Sequence, residues 1–147
     1  MTKKEHIPTL KNDTYRKSYF KHKISPPSSI AFSSDRYFEI NRRCVWPDVI
    51  DAHRLDFYMI FIVTRGEGIH TFGPNEYYVR ENTLCFISPD MISSWQSEME
   101  EQQGYFVTFS ETFFSQGCEN KRFLQELPFF QLDGHAVLTL SEEQTQY

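Results

Sequence analysis

The sequence predicts a mainly β domain, a sandwich or barrel of short strands, and three observations lead there. Apolar or alternating segments recur about every 8–12 residues with turn residues between them, the spacing of a meander and not of βαβ units. The aromatic share is 16%, with 14 Phe and 8 Tyr, and flat rings pack well on pleated surfaces. The segment FYMIFIV at 57–63 is apolar on both faces, as a strand covered on both sides must be. At 147 residues the chain is one domain's worth, enough to bury roughly 68–70% of its unfolded surface.

Residues 1–25 are polar and weakly periodic and run into SPPSS at 25–29, which cannot continue a helix. They are read as a flexible basic arm, 1–25, ahead of a folded body, 26–140. Within 1–23, seven basic side chains (Lys3, Lys4, Lys11, Arg16, Lys17, Lys21, Lys23) stand against Glu5 and Asp13, a balance of +5. The whole chain carries −5, so the remaining 124 residues carry −10. That acidic body is unsuited to gripping a phosphate backbone. The arm is basic enough to touch nucleic acid, and its composition equally suits a solvated tail.

In the body, 30–32 and 37–45 read as the first strands. Phe38, Ile40, Arg42 and Cys44 alternate there with Glu39, Asn41, Arg43 and Val45, an imperfect split of the kind expected near a barrel edge. Residues 57–63 form the central strand, with one face inward and the other covered. TRGEG at 64–68 is the next turn, where Gly66 and Gly68 are expected to supply positive φ. Residues 69–72 return, GPNE at 73–76 reverses the chain, and 77–79, 84–88, 92–96 and 105–110 continue the meander.

After Ser110 the character changes. Ser110 is a predicted N-cap with Glu111 in the first turn. Phe123, Leu124 and Leu127 have helical spacing, stopped by Pro128. Residues 137–140 read as one more strand. SEEQ at 141–144 has the form of a capping box, so 141–147 reads as the start of a linker helix and the chain as the front portion of a longer protein.

The longest apolar run is strand-sized, so no membrane-spanning helix is predicted, and the N-terminus lacks the apolar stretch of an export signal. Cys44, Cys85 and Cys118 are odd in number and far apart, with no CxxC pair. Cys85 lies in an apolar strand, the setting of a small buried hydrophobe. Reduced thiols and no leader predict a cytoplasmic protein.

Four fragments carry a resemblance. The chain reads HRLDFYMI at 53–60, GEGIH at 66–70, PDMISSW at 89–95 and GYFVTF at 104–109. In that order and spacing, over about 60 residues, it resembles the N-terminal sensing domain of AraC-type bacterial transcription regulators, relatives of the cupins. The resemblance implies a cupin-like double-stranded β-helix barrel followed by short C-terminal α-helices. It also implies a small-molecule effector, a homodimer joined through a helical element, and DNA binding only through a helix-turn-helix domain that this chain lacks.

Metal-using barrels of that fold aim three histidines and a carboxylate inward. The corresponding positions here hold His53, Leu55, Met59 and Ser93. Zinc, iron or manganese wants three or four convergent donors, so no metal, no cofactor and no catalytic residue is expected. Strand alternation places 53, 55, 57, 59, 61 and 63 on one face. The ligand-binding candidates are therefore His53, Phe57, Met59, Ser93, Trp95 and Tyr105. Ser93 and Trp95 share parity and should both face inward. The indole there suits stacking on a flat ligand with one donated hydrogen bond, or simple filling of the interior. His53 suits an orienting group or an exposed rim. Phe57 and Met59, with Phe61, suit core as well as contact, and Tyr105 would add to the pocket from the last strand. Tyr58, of opposite parity, reads as packing, and His70 as a surface or satisfied histidine. An apolar lumen with few charges points to a neutral or weakly polar effector. The competing functions are a stand-alone sugar-binding cupin and a small cupin isomerase or oxygenase.

Overall fold

The computed structural model describes residues 7–11, 15, 28–33, 36–43, 49–97, 102–115, 123–130 and 136–146. Eleven strands form two sheets among them: β1 (Thr9–Leu10), β2 (Ser28–Ser33), β3 (Arg36–Arg43), β4 (Val49–Leu55), β5 (Tyr58–Arg65), β6 (Gly68–Phe72), β7 (Asn75–Val79), β8 (Thr83–Ile87), β9 (Ser93–Ser97), β10 (Gln103–Phe109) and β11 (Val137–Thr139). One sheet has the order β1-β4-β9-β6-β7 and the other β11-β8-β5-β10-β3-β2. All pairs are antiparallel except β1 with β4. From β3 to β10 the chain passes back and forth between the sheets, with β6 and β7 as its one hairpin within a sheet. That is the two-sheet jelly-roll order. Among the described residues no ladder joins the two sheets.

The core lies between the sheets. Ile50, Leu55, Phe72, Val79 and Trp95 come from one, Met59, Phe61, Val63, Cys85, Ile87 and Phe106 from the other. The predicted parity holds through the sheet change at Asp56–Phe57, since His53, Leu55, Phe57, Met59, Phe61 and Val63 are all at most 3% exposed. Burying such a side chain is worth about 1.5–3 kcal/mol, so this row alone is a large share of the domain's stability. The sequence reading did not separate β4 from β5, because VIDAHRL lacks a clean alternation of apolar and polar residues.

The outer face of β5 is covered too. Tyr58, Phe109, Leu124 and Phe130 form a second cluster with Phe38, Ile60, Phe86, Val107 and Leu127. Tyr58 stacks on Phe109 at 5.4 Å and 3° and meets Phe130 edge-on at 4.9 Å. Burial, with Glu111 adding to it, pushes the Tyr58 phenol up to about 12. Helices α1 (Glu111–Ser115) and α2 (Phe123–Glu126), with a 3₁₀ turn at Pro128–Phe130, supply part of this cover. Ser110 caps α1 as predicted, its Oγ accepting from the Phe113 amide at 3.3 Å. The capping box at Ser141 also forms, with the Gln144 amide on Ser141 Oγ at 3.3 Å and the Ser141 amide on Gln144 Oε1 at 2.9 Å. It opens a 3₁₀ turn, Gln144–Gln146, and not an α-helix within the described residues.

Three expectations change. The described part of the arm is docked: Thr9 and Leu10 pair with Arg54 and Leu55, and Tyr15 is 2% exposed. Leu10 and the Tyr15 ring give an otherwise polar segment two apolar anchors on the core; most of 1–25 lies outside the described residues. Gly66 has the expected positive φ, 104°, but Gly68 does not, and its requirement is spatial. A Cβ there would lie 2.3 Å from Trp95 Cζ2. Strand β3 is inverted relative to its hydrophobic pattern: Glu39 and Asn41 face the interior, while Ile40 is 42% exposed.

Candidate functional site

Strand β9 lies between β4 and β6, and the register builds the site in two rows. Ser93 stands between His53 on β4 and Phe72 on β6, and Trp95 stands between Ile50 and His70. Phe61, from the opposite sheet, meets the His70 ring edge-on at 5.4 Å and the Trp95 ring at 5.9 Å. These rows form a small interior pocket walled by His53, Met59, Phe61, His70, Ser93 and Trp95, and Tyr15 of the arm lines it as well. The Tyr15 ring lies 5.7 Å from His53 and 6.0 Å from Phe57. Free space inside is about 10 Å³, room for about one water, against the roughly 300–1,000 Å³ of ligand pockets.

The electrostatics are those of neutral hydrogen-bonding groups. His53 Nδ1 is 2.7 Å from the Asp51 carbonyl and His70 Nδ1 is 3.1 Å from the Ser94 carbonyl. A carbonyl oxygen only accepts, so each Nδ1 carries a proton. Burial lowers the His53 pKa below its ordinary value, opposed by the bond to Asp51, so the ring is neutral at pH 7. Ser93 Oγ, buried on the same wall, meets no hydrogen-bond partner among the described residues. Leaving such a group unpaired costs about 1–3 kcal/mol.

Four of the six candidates, His53, Met59, Ser93 and Trp95, come together here. Phe57 belongs to the same core but packs behind Tyr15 and is not on the pocket wall. Tyr105 is corrected: it is 47% exposed on the outer face of β10. Phe106 opposes Phe61 on the inner face, and alternation sends the residue before it outward. The expected free indole donor is also corrected. Trp95 Nε1 donates to Ser97 Oγ at 3.0 Å, and Gln102 holds the same hydroxyl. Sequence reasoning missed Tyr15, an aromatic within a polar arm; of its two readings of His70, surface or satisfied, the structure shows the second, buried and bonded to the Ser94 carbonyl beside Trp95.

The positions that carry metal ligands elsewhere in this fold do face the interior, but an imidazole, an alkyl chain, a thioether and a hydroxyl do not fit a metal. His70 adds a second imidazole. Among the described residues no three of His, Cys, Asp and Glu converge. A larger cleft of about 780 Å³ lies between the 88–92 loop and the short helices, with Arg54, Asp90, Glu111 and Gln125 on its rim. It is open to solvent, whereas the interior pocket gathers buried polar groups, which makes the pocket the better candidate.

Fold and pocket together define a small two-sheet jelly-roll domain with a partly polar interior. The chain belongs to the AraC-like ligand binding domain family, whose profile matches residues 37–144. A search of curated proteins returns no match. Among solved structures, the cupin domain of Cnp3 from Schizosaccharomyces pombe is similar at 9% identity and a TM-score of 0.47, over 65% of this chain and 74% of that one. The 7S globulin of Momordica charantia is similar at 14% identity and 0.45, over 74% and 41%. Protein NMB1881 from Neisseria meningitidis is similar at 12% and 0.42, over 60% and 88%. No helix among the described residues is long and apolar enough to cross a membrane.

Proposed function

We propose that this chain is the effector-sensing and dimerising part of a cytoplasmic bacterial transcription regulator, acting without a metal, a cofactor or catalysis of its own. DNA would be held by a helix-turn-helix domain outside the chain, because the body is acidic. The reading also takes the two sheets as a functional barrel whose interior receives a small molecule. One observation carries it: Tyr15 of the arm is a wall of the same pocket as His53, Ser93 and Trp95, its ring 5.7 Å from that of His53. A ligand entering that pocket competes with Tyr15 for the same space. Occupancy and arm position are then thermodynamically linked, and a displaced arm is a signal that a second domain can read.

The test is a thermal-shift screen of metabolites on the chain, followed by affinity measurements on Tyr15→Ala. If Tyr15 occupies the ligand's space, its removal tightens the apparent affinity of any hit, because the competent state is populated without expelling a ring. A hit whose affinity is unchanged in Tyr15→Ala and in Ser93→Ala binds elsewhere, and the reading fails. Sedimentation at several concentrations tests the homodimer.

A further inference from the structure

The cleft of about 780 Å³ lies on the far side of β5 from the interior pocket, since Tyr58 lines the one and Met59 and Phe61 the other. Its volume falls within the range of ligand sites, about 300–1,000 Å³. Two hydroxyls on its wall are unused by the fold. Tyr58 is 2% exposed and Ser88 7%, and neither side-chain oxygen meets a hydrogen-bond partner among the described residues. Neither atom is fully enclosed, so each opens on the cleft that its residue lines. The Tyr58 phenol, raised by burial and then by Glu111, stays protonated near neutral pH and both donates and accepts. Charges of both signs stand around these hydroxyls. The Asp90 amide donates to the Leu55 carbonyl at 3.0 Å, which sets Arg54 and Asp90 together on the loop side. Arg54 makes no ion pair among the described residues. On the helix side, the Gln125 amide donates to Glu111 Oε1 at 3.3 Å and holds that carboxylate in place. The Gly73 amide ties the far end of the loop to the Ile92 carbonyl at 2.8 Å, so this wall is set before anything binds. Met91, Ile92 and Phe130 give the cleft its apolar lining.

We propose that this cleft is a second binding site, for a small zwitterion with an apolar body, a free amino acid or a short peptide, its carboxylate on Arg54 and its ammonium on Glu111. Arg54 against Asp90 and Glu111 leaves the cleft at −1. A simple anion would meet two carboxylates there, and a simple cation would leave the guanidinium unanswered. A molecule carrying both signs satisfies the loop side and the helix side at once. The Tyr58 and Ser88 hydroxyls then serve the polar atoms of the ligand, and Met91, Ile92 and Phe130 its side chain. Arg54 and Glu111 are partly exposed, so each charged contact is worth about threefold to fivefold in affinity. The site is separate from the interior pocket and stands whether or not an effector binds there.

The test is calorimetry on the whole chain with leucine, leucylleucine, and the N-acetyl and C-terminal amide forms of each. Wild type is expected to bind one of the uncapped forms, and either cap to weaken it about threefold or more. Tighter binding of leucine assigns the site to free amino acids, and tighter binding of leucylleucine assigns it to peptides. Glu111→Gln is expected to abolish the loss caused by acetylation and keep the loss caused by amidation, and Arg54→Gln the reverse. Damage to the fold would not sort the two ends in this way. Tyr58→Phe should weaken the better ligand about threefold, because a hydroxyl that serves the ligand is gone. Glu81→Gln, an exposed carboxylate beside the turn at the other end of β5, should leave every affinity unchanged. Equal binding of capped and uncapped forms overturns the proposal, as does an amide that binds tighter than its free acid. Weakening by Ser93→Ala with none by Arg54→Gln and Glu111→Gln puts the ligand in the interior and overturns the cleft. No binding of any probe at millimolar concentration overturns it as well, and leaves the effector reading untouched.

Discussion

Gly68 and Trp95 fit edge to backbone: a methyl group on Gly68 would lie 2.3 Å from Cζ2 of the indole, 2.5 Å from Cη2 and 2.8 Å from the Gln96 carbonyl oxygen. The indole cannot retreat freely, because Phe61 meets its ring edge-on and Ser97 holds its N–H. Gly68→Ala is therefore expected to cost about 1–3 kcal/mol by overpacking. In a Trp95→Phe background the same substitution should cost less, since the smaller ring leaves room. Equal costs in the two backgrounds, measured by denaturant unfolding, would show that the backbone and not the indole sets the requirement.

Tyr15→Ala is expected to destabilise the ligand-free chain, because a 2% exposed ring leaves contacts with His53 and Phe57. Core aromatic truncations cost about 3–5 kcal/mol, and a ring carried by the arm, outside the strands of the two sheets, belongs at or below the low end. The loss should be accompanied by faster proteolysis within residues 1–25. A Tm within a degree of wild type would mean that the arm adds nothing to the fold.

Much of this was legible in the residues. The parity of 53, 55, 57, 59, 61 and 63 followed from strand alternation alone and is realised across a change of sheet. The inward pairing of Ser93 and Trp95 followed from the same rule. What was not legible depends on neighbours that sequence does not order. The face of β3 is decided by its ladder to β10, which puts Asn41 inside against its apolar neighbours. Tyr105 was misplaced for the converse reason, since only the pairing of Phe106 with Phe61 reveals which parity of β10 faces in. The reason for Gly68 became visible only when an indole was found against it.

Tyr105→Ser should accordingly change neither stability nor binding. An exposed position away from any special backbone feature is worth within about 0.5 kcal/mol. A tenfold loss of ligand affinity in this variant would place the site on the outer face of β10 and remove the interior pocket from consideration.

Metal dependence gives a fourth check. One imidazole among the four aligned positions is too few donors, so EDTA dialysis is expected to leave Tm unchanged and elemental analysis to find well under one zinc, iron or manganese per chain. A stoichiometric metal whose removal lowers Tm would favour the small-enzyme alternative.

His53 makes stability depend on pH in a definite direction. Its ring is buried and neutral, with a folded pKa lowered below the 6.5 of the unfolded chain. Between the two values the unfolded chain binds more protons than the folded one, so stability rises with pH in that window. The contribution is fully present above about pH 6.5 and is lost as the pH falls through the window toward the folded pKa. His53→Gln keeps a neutral side chain and removes the titration, so the Tm difference between pH 7.5 and 5.5 should be smaller in the variant than in wild type. The difference is the informative quantity, because Asp56, raised chiefly by burial, titrates with the opposite sign at lower pH in both proteins. Parallel Tm curves for wild type and His53→Gln would mean that the imidazole reaches solvent and can protonate in place, which is incompatible with its burial at 3% exposure.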